Sequence, residues 1–537
     1  MNRSSTGPAQ LVTEQLLAQL QQSRTPFKAA DSTGAKLTGP QLLMRTLALR
    51  RCLLREVIAP DEQHVGIFLP PSVAAIAANF ALAFANRVSV NLNYTLTSAG
   101  LKLCCETAGL KHVLTSRKFM EKIELDVGCP LVYLEDLKEK VTWSDKALAA
   151  FNAKCRTPAS LHRLLGGDKK QVDDPLTIIF TSGSTGVPKG VVLTYGNIAN
   201  NVHGIDGSIR LNDRDVVLGI LPLFHSFGYT VTMWAAMTLP SAAVFHFSPL
   251  DARQVGKLAE QYKATVLLAT PTFLRNYIRR VEVDQFKTLE VVVVGAEKMP
   301  IPLADDFEQR FGVRPVEGYG TTELSPIVSV NVPPCRSQTK PGDGLREGSV
   351  GRPIEHVDAR TVSIDDDTPL PSGQTGLLEI RGPNVMKGYY RRPDLTREVM
   401  HGDWYRTGDM GIVHPDGFIE ITGRMSRFSK IGGEMVPHIQ IEETIAKILG
   451  PNEEGTLRAV VTSVPDKKRG ERLVVLHTSL PIGRRELLNK MSEAGLPNLF
   501  LPGEDSFLEV PAIPELGSGK LDLKSMKELA AANFGGH

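Results

Sequence analysis

Short apolar runs alternate with longer, helix-like stretches along most of the chain. Val65-Gly66-Ile67-Phe68-Leu69 has strand character and is stopped by Pro70-Pro71. The Ala-rich stretch 73–85 that follows falls short of the ~20 apolar residues a membrane span needs. Asn79 interrupts it, and it reads as a buried helix. Strand-like runs recur at residues 88–92, 112–115, 131–134, 176–180, 265–270 and 291–295. Strands alternating with helices predict a parallel sheet covered on both faces, hence an α/β fold.

The texture changes near residue 348, where Pro, Gly and Asp become frequent. Residues 377–381 and 418–421 read as antiparallel strands, with turns such as Pro415-Asp416-Gly417 between such elements. A β-rich subdomain over 348–424 is the expectation. After Gly423-Arg424 an α+β tail, 425–537, is expected, with a helix at 439–449 and strands at 459–464 and 473–478.

Length supports this partition. A chain of 537 residues exceeds what one core holds, because cores stop growing near ~250–300 residues. Hydrophobic residues at 42% and charged residues at 22% are ordinary for a globular protein. A formal net charge of +2 gives no case for nucleic acid as a partner. The cysteines Cys52, Cys104, Cys105, Cys129, Cys155 and Cys335 match neither a zinc pattern nor a CxxC motif. Buried reduced thiols in a cytoplasmic protein are expected. The polar N-terminal segment lacks a signal-peptide pattern, so any membrane contact is expected to be peripheral.

The chemistry begins at Thr181-Ser182-Gly183-Ser184-Thr185-Gly186-Val187-Pro188-Lys189-Gly190, which follows the strand-like run 176–180. Glycines let backbone N–H groups turn inward, hydroxyls donate, and a lysine adds charge, which together suit a polyphosphate. The spacing is not that of a Walker A loop. The run resembles the phosphate loop of the adenylate-forming superfamily, which comprises acyl-CoA synthetases, peptide-synthetase adenylation domains and luciferases. Five further motifs follow in that family's order and cover essentially the whole chain.

The resemblance implies ATP and Mg²⁺ as cofactors and assigns roles residue by residue. In Gly318-Tyr319-Gly320-Thr321-Thr322-Glu323 it gives Tyr319 the adenine face, Thr322 the α-phosphate and Glu323 the metal. Gly295-Ala296-Glu297 would line the adenine pocket through its backbone; for Glu297 a plain strand-to-helix turn competes. Trp404-Tyr405-Arg406-Thr407-Gly408-Asp409 resembles the ribose motif, with Asp409 on the diol and Arg424 as a second ribose or phosphate contact. Pro514-Glu515-Leu516-Gly517-Ser518-Gly519-Lys520 resembles the segment bearing the adenylation lysine. An ammonium there would stabilise charge building on the phosphoryl oxygens. His225, in Leu221-Pro222-Leu223-Phe224-His225-Ser226-Phe227-Gly228, reads as a group lining the acyl site, with a core histidine as the alternative.

The implied fold is α/β throughout. A large N-terminal domain (1–424) contains two α/β subdomains and a small β-barrel-like subdomain. A small mobile α+β C-terminal domain (425–537) follows. In the family this domain rotates about a hinge near Gly423-Arg424, which falls on Ser426 here, where Asp or Lys is common. Lys520 then serves adenylation. Lys430-Ile431-Gly432-Gly433-Glu434 serves thioester formation, Gly432 and Gly433 leaving room for a phosphopantetheine arm.

The runs PLFHSFG, VVGAEKM, EGYGTTELSPIVSVNVP, KIGGEMV and GSGKLD are similar to acyl–acyl carrier protein synthetases, including the ligase half of a bifunctional 2-acylglycerophosphoethanolamine acyltransferase. The expected substrate is a long-chain fatty acid and the expected acceptor acyl carrier protein, with CoA as the alternative. His246 and Asp251 have an HxxxxD spacing, read as coincidence inside the ligase region. Phe227, Thr230 and Trp234 are acyl-pocket candidates. Arg275, Arg279 and Arg280, or Arg391, Arg392 and Arg397, are candidate carrier-protein faces. A non-catalytic acyl- or nucleotide-binding homologue is opposed by retention of Lys520, Glu323 and the loop. An amino-acid adenylation module would need an acidic anchor that Ser226-Phe227-Gly228 does not supply.

Overall fold

The structure, a computed structural model, describes residues 10–182, 188–338, 340, 342–432, 434–450, 457–466, 468–515 and 521–535. Two large sheets dominate. In the nine-stranded sheet the order is Arg352–Pro353, Ile327–Val330, Val316–Gly320, Val291–Val294, Val266–Ala269, Val216–Gly219, Ala242–Phe245, Ala29–Asp31 and Lys36–Leu37. Its central pairs are parallel. Both faces are covered, so strands such as Val291–Val294 are buried at every position.

The seven-stranded sheet runs Gly388–Tyr389, Pro188–Thr194, Pro175–Ser182, Val88–Asn91, His64–Ile67, Val113–Thr115 and Leu131–Tyr133. The apolar helix Val73–Phe84 begins at Ser72, whose side chain accepts from the Ala75 N–H, and almost all of it is buried. Among the described residues, no helix is long and apolar enough to cross a membrane.

A five-stranded antiparallel sheet holds Asp358–Val362, Thr375–Arg381, Trp404–Val413 and Met400–His401, with Ile419–Arg424 also paired to Trp404–Val413. The last sheet is built on Phe428–Ile431, Glu434–Pro437, Ala459–Asp466, Gly470–His477 and Phe507–Glu509. Its own apolar clusters form around Val436, Ile441, Val475 and Leu487, and around Val474, Leu476 and Met526.

The expected strands and helices are present, with ends shifted by up to three residues. The β-rich stretch is less uniform than its composition implied. Arg352–Pro353 joins the nine-stranded sheet, and Gly388–Tyr389 adds an edge to the seven-stranded one. The thiols are not all buried either. Cys155 and Cys335 are exposed, while Cys104 and Cys105 are buried and burial pushes each up to about 12.

Candidate active site

The strands Pro175–Ser182 and Pro188–Thr194 form an antiparallel hairpin in which Thr181 lies opposite Lys189. They hold the ends of the run 181–190, the candidate phosphate loop. Gly183, Ser184, Thr185 and Gly186 lie outside the described residues, as does the Ser182 side chain. The edge strand Gly388–Tyr389 adds to the hairpin, with Tyr389 opposite Val191.

That edge brings Tyr389 to Glu323. The Tyr389 hydroxyl donates to Glu323 Oε1 over 2.8 Å, and Lys189 Nζ stands 5.3 Å from the Tyr389 ring centroid. The Met386 N–H donates to the Glu323 carbonyl over 2.8 Å. Burial, and then the Glu323 charge, push Tyr389 far above the usual phenol range, so its hydroxyl remains a donor at neutral pH.

Glu323 sits on the short helical turn Thr322–Leu324, reached through a bulge between Tyr319 and Gly320. A Cβ at Gly320 would lie 1.9 Å from the Pro326 carbonyl oxygen, so only glycine lets the chain double back there. Thr322 Oγ1 is 3.1 Å from Ser226 Oγ, which ties this turn to the segment after His225. Thr321 Oγ1 is buried with no hydrogen-bond partner among the described residues.

Tyr319 and Asp409 meet on the other side of the turn. The Tyr319 hydroxyl donates to Asp409 Oδ2 over 2.5 Å, and Arg424 Nε lies 3.2 Å from Asp409 Oδ1. Burial raises Asp409 above the ordinary carboxylate range, opposed by Arg424. Arg424 and Asp409 face each other across antiparallel strands. Gly295 closes the strand Val291–Val294, and a Cβ there would touch the Phe227 ring at 3.3 Å. Ala296 holds φ +70°, a left-handed turn, while Glu297 is exposed and accepts from Thr272 over 3.1 Å.

His225 is exposed and its ring lies 4.6 Å from that of Phe224, which removes the core-histidine alternative. Of the acyl-pocket candidates, Phe227 is half-buried beside Gly295. Thr230 and Trp234 are fully buried, Trp234 packing against Phe80 at 5.0 Å. His246 bonds to Ser32 over 2.8 Å, and Asp251 caps the helix Ala252–Tyr262. Lys520 and Gly433 lie outside the described residues; Gly432 is described, at φ +58°. Beyond Arg424, Arg427 is buried and bonds to Glu442 and to the Val461 carbonyl, the latter over 3.1 Å.

Glu323, Thr322, Lys189, Tyr319, Asp409 and Arg424 therefore gather around one pair of turns. Sequence reasoning missed Tyr389 and Ser226. Each stood in a visible run, Gly388-Tyr389-Tyr390 and the segment singled out for His225, but neither run shows the distant partner.

Residues 18–390 match the family described as AMP-binding enzyme. The chain belongs to the AMP-binding enzyme family. Within this family it stands among AMP-forming acid–thiol ligases. It is 31% identical over 404 residues to the indoleacetate–CoA ligase of Aromatoleum aromaticum, covering 72% of this chain and 75% of the relative. It is 26% identical over 477 residues to the long-chain-fatty-acid–CoA ligase of Bacillus subtilis, covering 84% and 82%. The α/β fold is that of ATP-bound MatB from Rhodopseudomonas palustris, with TM-score 0.76 and 24% identity over 96% of this chain and 98% of that one.

Proposed function

We propose that this AMP-binding enzyme activates a fatty acid with ATP, forms acyl-AMP, and transfers the acyl group to the thiol of CoA. The observation that carries the reading is the convergence of the phosphate-loop hairpin, Glu323 and Asp409 through Tyr389 and Tyr319. The relatives quoted are CoA ligases, one of them for long-chain fatty acids. They support CoA ahead of acyl carrier protein, which the sequence runs favoured.

In this reading the hairpin ends and Lys189 hold the polyphosphate. Asp409 and Arg424 take the ribose, with Tyr319 fixing the Asp409 carboxylate. Gly295 and Ala296 face adenine by backbone. Thr321, whose buried hydroxyl has no partner among the described residues, and Thr322 donate to the phosphates. Glu323 and the neighbouring hydroxyls are hard oxygen donors, the chemistry Mg²⁺ takes, and they would hold it. When bound, Mg²⁺ neutralises phosphate charge. The substrate carboxylate is ionised at neutral pH and needs no base. His225 and Phe227 border the acyl group. Lys520 serves the first step, and Gly432 with Gly433 admits the thiol arm.

Residues 425–537 are proposed to move as a unit between the two steps. Arg424 is held to Asp409 on one side, and Arg427 is held to Glu442 and Val461 on the other. Met425 and Ser426 alone lie between these anchors, which supports a hinge at this point, where the family resemblance puts Ser426.

A peripheral membrane contact has a place in this reading. On the helix Trp143–Cys155, Trp143 is 82% and Phe151 54% exposed, and Leu148 is also exposed. The helix has one acidic residue, Asp145, which is buried and paired with Arg51 and Arg55. Lys146 and Lys154 remain exposed on it. Exposed apolar side chains with Lys146 and Lys154 on the same helix suit an anionic lipid surface, where a fatty acid partitions.

The deciding experiment is fatty-acid-dependent ATP–pyrophosphate exchange over acids of increasing length, followed by acceptor assays with CoA and acyl carrier protein. Absence of exchange with every acid would overturn the reading. Transfer to carrier protein alone would reverse the choice of thiol.

A further inference from the structure

We propose that His203, Glu355 and His356 form a binding site for a divalent transition-metal ion of the zinc, nickel or cobalt class. The three side chains come from two separate segments, the helix Tyr195–Ile209 and the turn before the strand Asp358–Val362. One carboxylate lies between two imidazoles. His203 Nε2 is 2.9 Å from Glu355 Oε2, and His356 Nε2 is 3.9 Å from Glu355 Oε1. The rings lie nearly parallel, 13° apart in plane and 5.8 Å between centroids. All the donor atoms fall within 4.8 Å of one another.

Two imidazoles and a carboxylate suit borderline metals far better than Mg²⁺ or Ca²⁺, which prefer oxygen throughout. Ligands of one tetrahedral ion stand roughly 3.3–3.5 Å apart at zinc–nitrogen lengths of about 2.0–2.1 Å. Small rotations of exposed side chains reach that spacing.

The backbone beneath is already fixed. Ile354 is buried over Gly204, where a Cβ would come within 2.6 Å of its Cδ1. Gly207, one turn further, runs under Glu355, with a Cβ position 3.7 Å from Oε2. Gly204 thus admits the turn, while a side chain at Gly207 would meet Glu355 only at ordinary contact distance. His356 itself holds φ +65°, an uncommon value for a residue with a side chain. Donors carried on a packed turn and a packed helix lose little freedom when an ion arrives.

The site would also brace the cluster around Glu323. On the same helix, Asn201 accepts from the Ile327 N–H over 2.7 Å and donates to the Leu324 carbonyl over 3.3 Å. The turn leads into the sheet that carries Asp409. An ion there clips these two segments together.

The test uses the full chain freed of metal with EDTA. Thermal unfolding is followed with Zn²⁺, and separately with Mg²⁺, for the wild type, His203→Gln with His356→Gln, and Glu355→Gln. All three side chains are exposed, so the variants keep the fold. The expected result is a rise of a few degrees with Zn²⁺ in the wild type alone, with no matching rise from Mg²⁺. Co²⁺ should give visible absorption bands of a low-symmetry site, lost in the double variant. No shift with Zn²⁺, or an equal shift in the double variant, overturns the proposal. A bare ion pair between His203 and Glu355 predicts that second outcome or none.

Discussion

The hydroxyl of Tyr319 is bound to Asp409 Oδ2 at 2.5 Å, while Arg424 occupies the opposite oxygen at 3.2 Å. The carboxylate is buried, and its orientation is set by both partners. A ribose diol would meet a carboxylate already aimed. Tyr319→Phe frees it to rotate and leaves the ring in place. We expect the KM for ATP to rise roughly 10-fold, with kcat changed less, since a hydrogen bond to a charged group contributes about 1.5–3 kcal/mol. An unchanged KM would remove the positioning role from Tyr319.

Tyr389 makes the parallel contact to Glu323 at 2.8 Å. Tyr389→Phe deletes the hydroxyl and keeps the packing on the hairpin. ATP–pyrophosphate exchange should fall roughly 10- to 100-fold, with its Mg²⁺ dependence moved to higher concentration. Loss of exchange without any change in Mg²⁺ dependence would separate Tyr389 from the metal reading of Glu323.

The two tyrosines mark where sequence reading succeeds and stops. Strand runs such as 265–270 and 291–295 were legible because burial on both faces demands continuous apolar residues. Glu323 and Asp409 were reached through the resemblance of the runs 318–323 and 404–409 to the adenylate-forming motifs, since an acid beside Gly or Thr is by itself more often a turn residue. Tyr389 was invisible as a partner because its contact depends on a two-residue edge strand, Gly388–Tyr389, crossing from a β-rich stretch to the other sheet. No local pattern encodes such a crossing. Ser226 was hidden similarly: its bond to Thr322 spans 96 residues. Trp234 and Thr230 are fully buried, as core and pocket-lining residues alike are, because apolar packing and apolar binding use the same residues.

The half-reactions should separate by mutation. Lys520→Ala should nearly abolish adenylate formation and spare thioester formation from supplied acyl-AMP. Gly433→Leu should do the reverse. Ser426→Pro restricts the backbone between the anchored Arg424 and Arg427. It should slow the acceptor step at least several-fold while sparing exchange. Equal loss in both half-reactions for all three variants would argue against a moving tail domain.

Asp145 offers a stability test away from the site. It is buried, its carboxylate pairs with Arg55 at 2.7 Å and Arg51 at 3.1 Å, and it accepts from the N–H of Thr142, the N-cap of its own helix. Burial works against its ionisation, yet Arg55 and the other donors win and hold it at about 2, below the ordinary 3.8. A carboxylate lowered on folding stabilises above its unfolded value, and that contribution fades as pH falls through the folded one. Asp145→Asn should therefore destabilise by about 1–2 kcal/mol at pH 7, a figure reduced because both arginines are partly exposed. The gap between wild type and variant in thermal unfolding should close between pH 4 and pH 2. A gap that persists unchanged at low pH would assign the loss to packing.

The exposed face of the helix Trp143–Cys155 separates lipid contact from self-association. Trp143 is a direct reporter, because Trp234 is buried and Trp404 is less exposed. If the face meets a bilayer, vesicles of anionic phospholipid should shift the tryptophan emission to the blue and carry the protein down on sedimentation. Neutral vesicles should do so less, and added salt should weaken the binding, because Lys146 and Lys154 supply attraction at the rim. Trp143→Ser with Phe151→Ser removes mainly exposed surface, so the fold should persist. This variant should lose vesicle binding, and its KM should rise when a long-chain acid is delivered in vesicles. Its KM for a short, freely soluble acid should stay as in the wild type. If the wild type instead ignores vesicles and elutes as a dimer that the double variant dissolves, the face binds a second copy of the chain and the lipid reading is wrong.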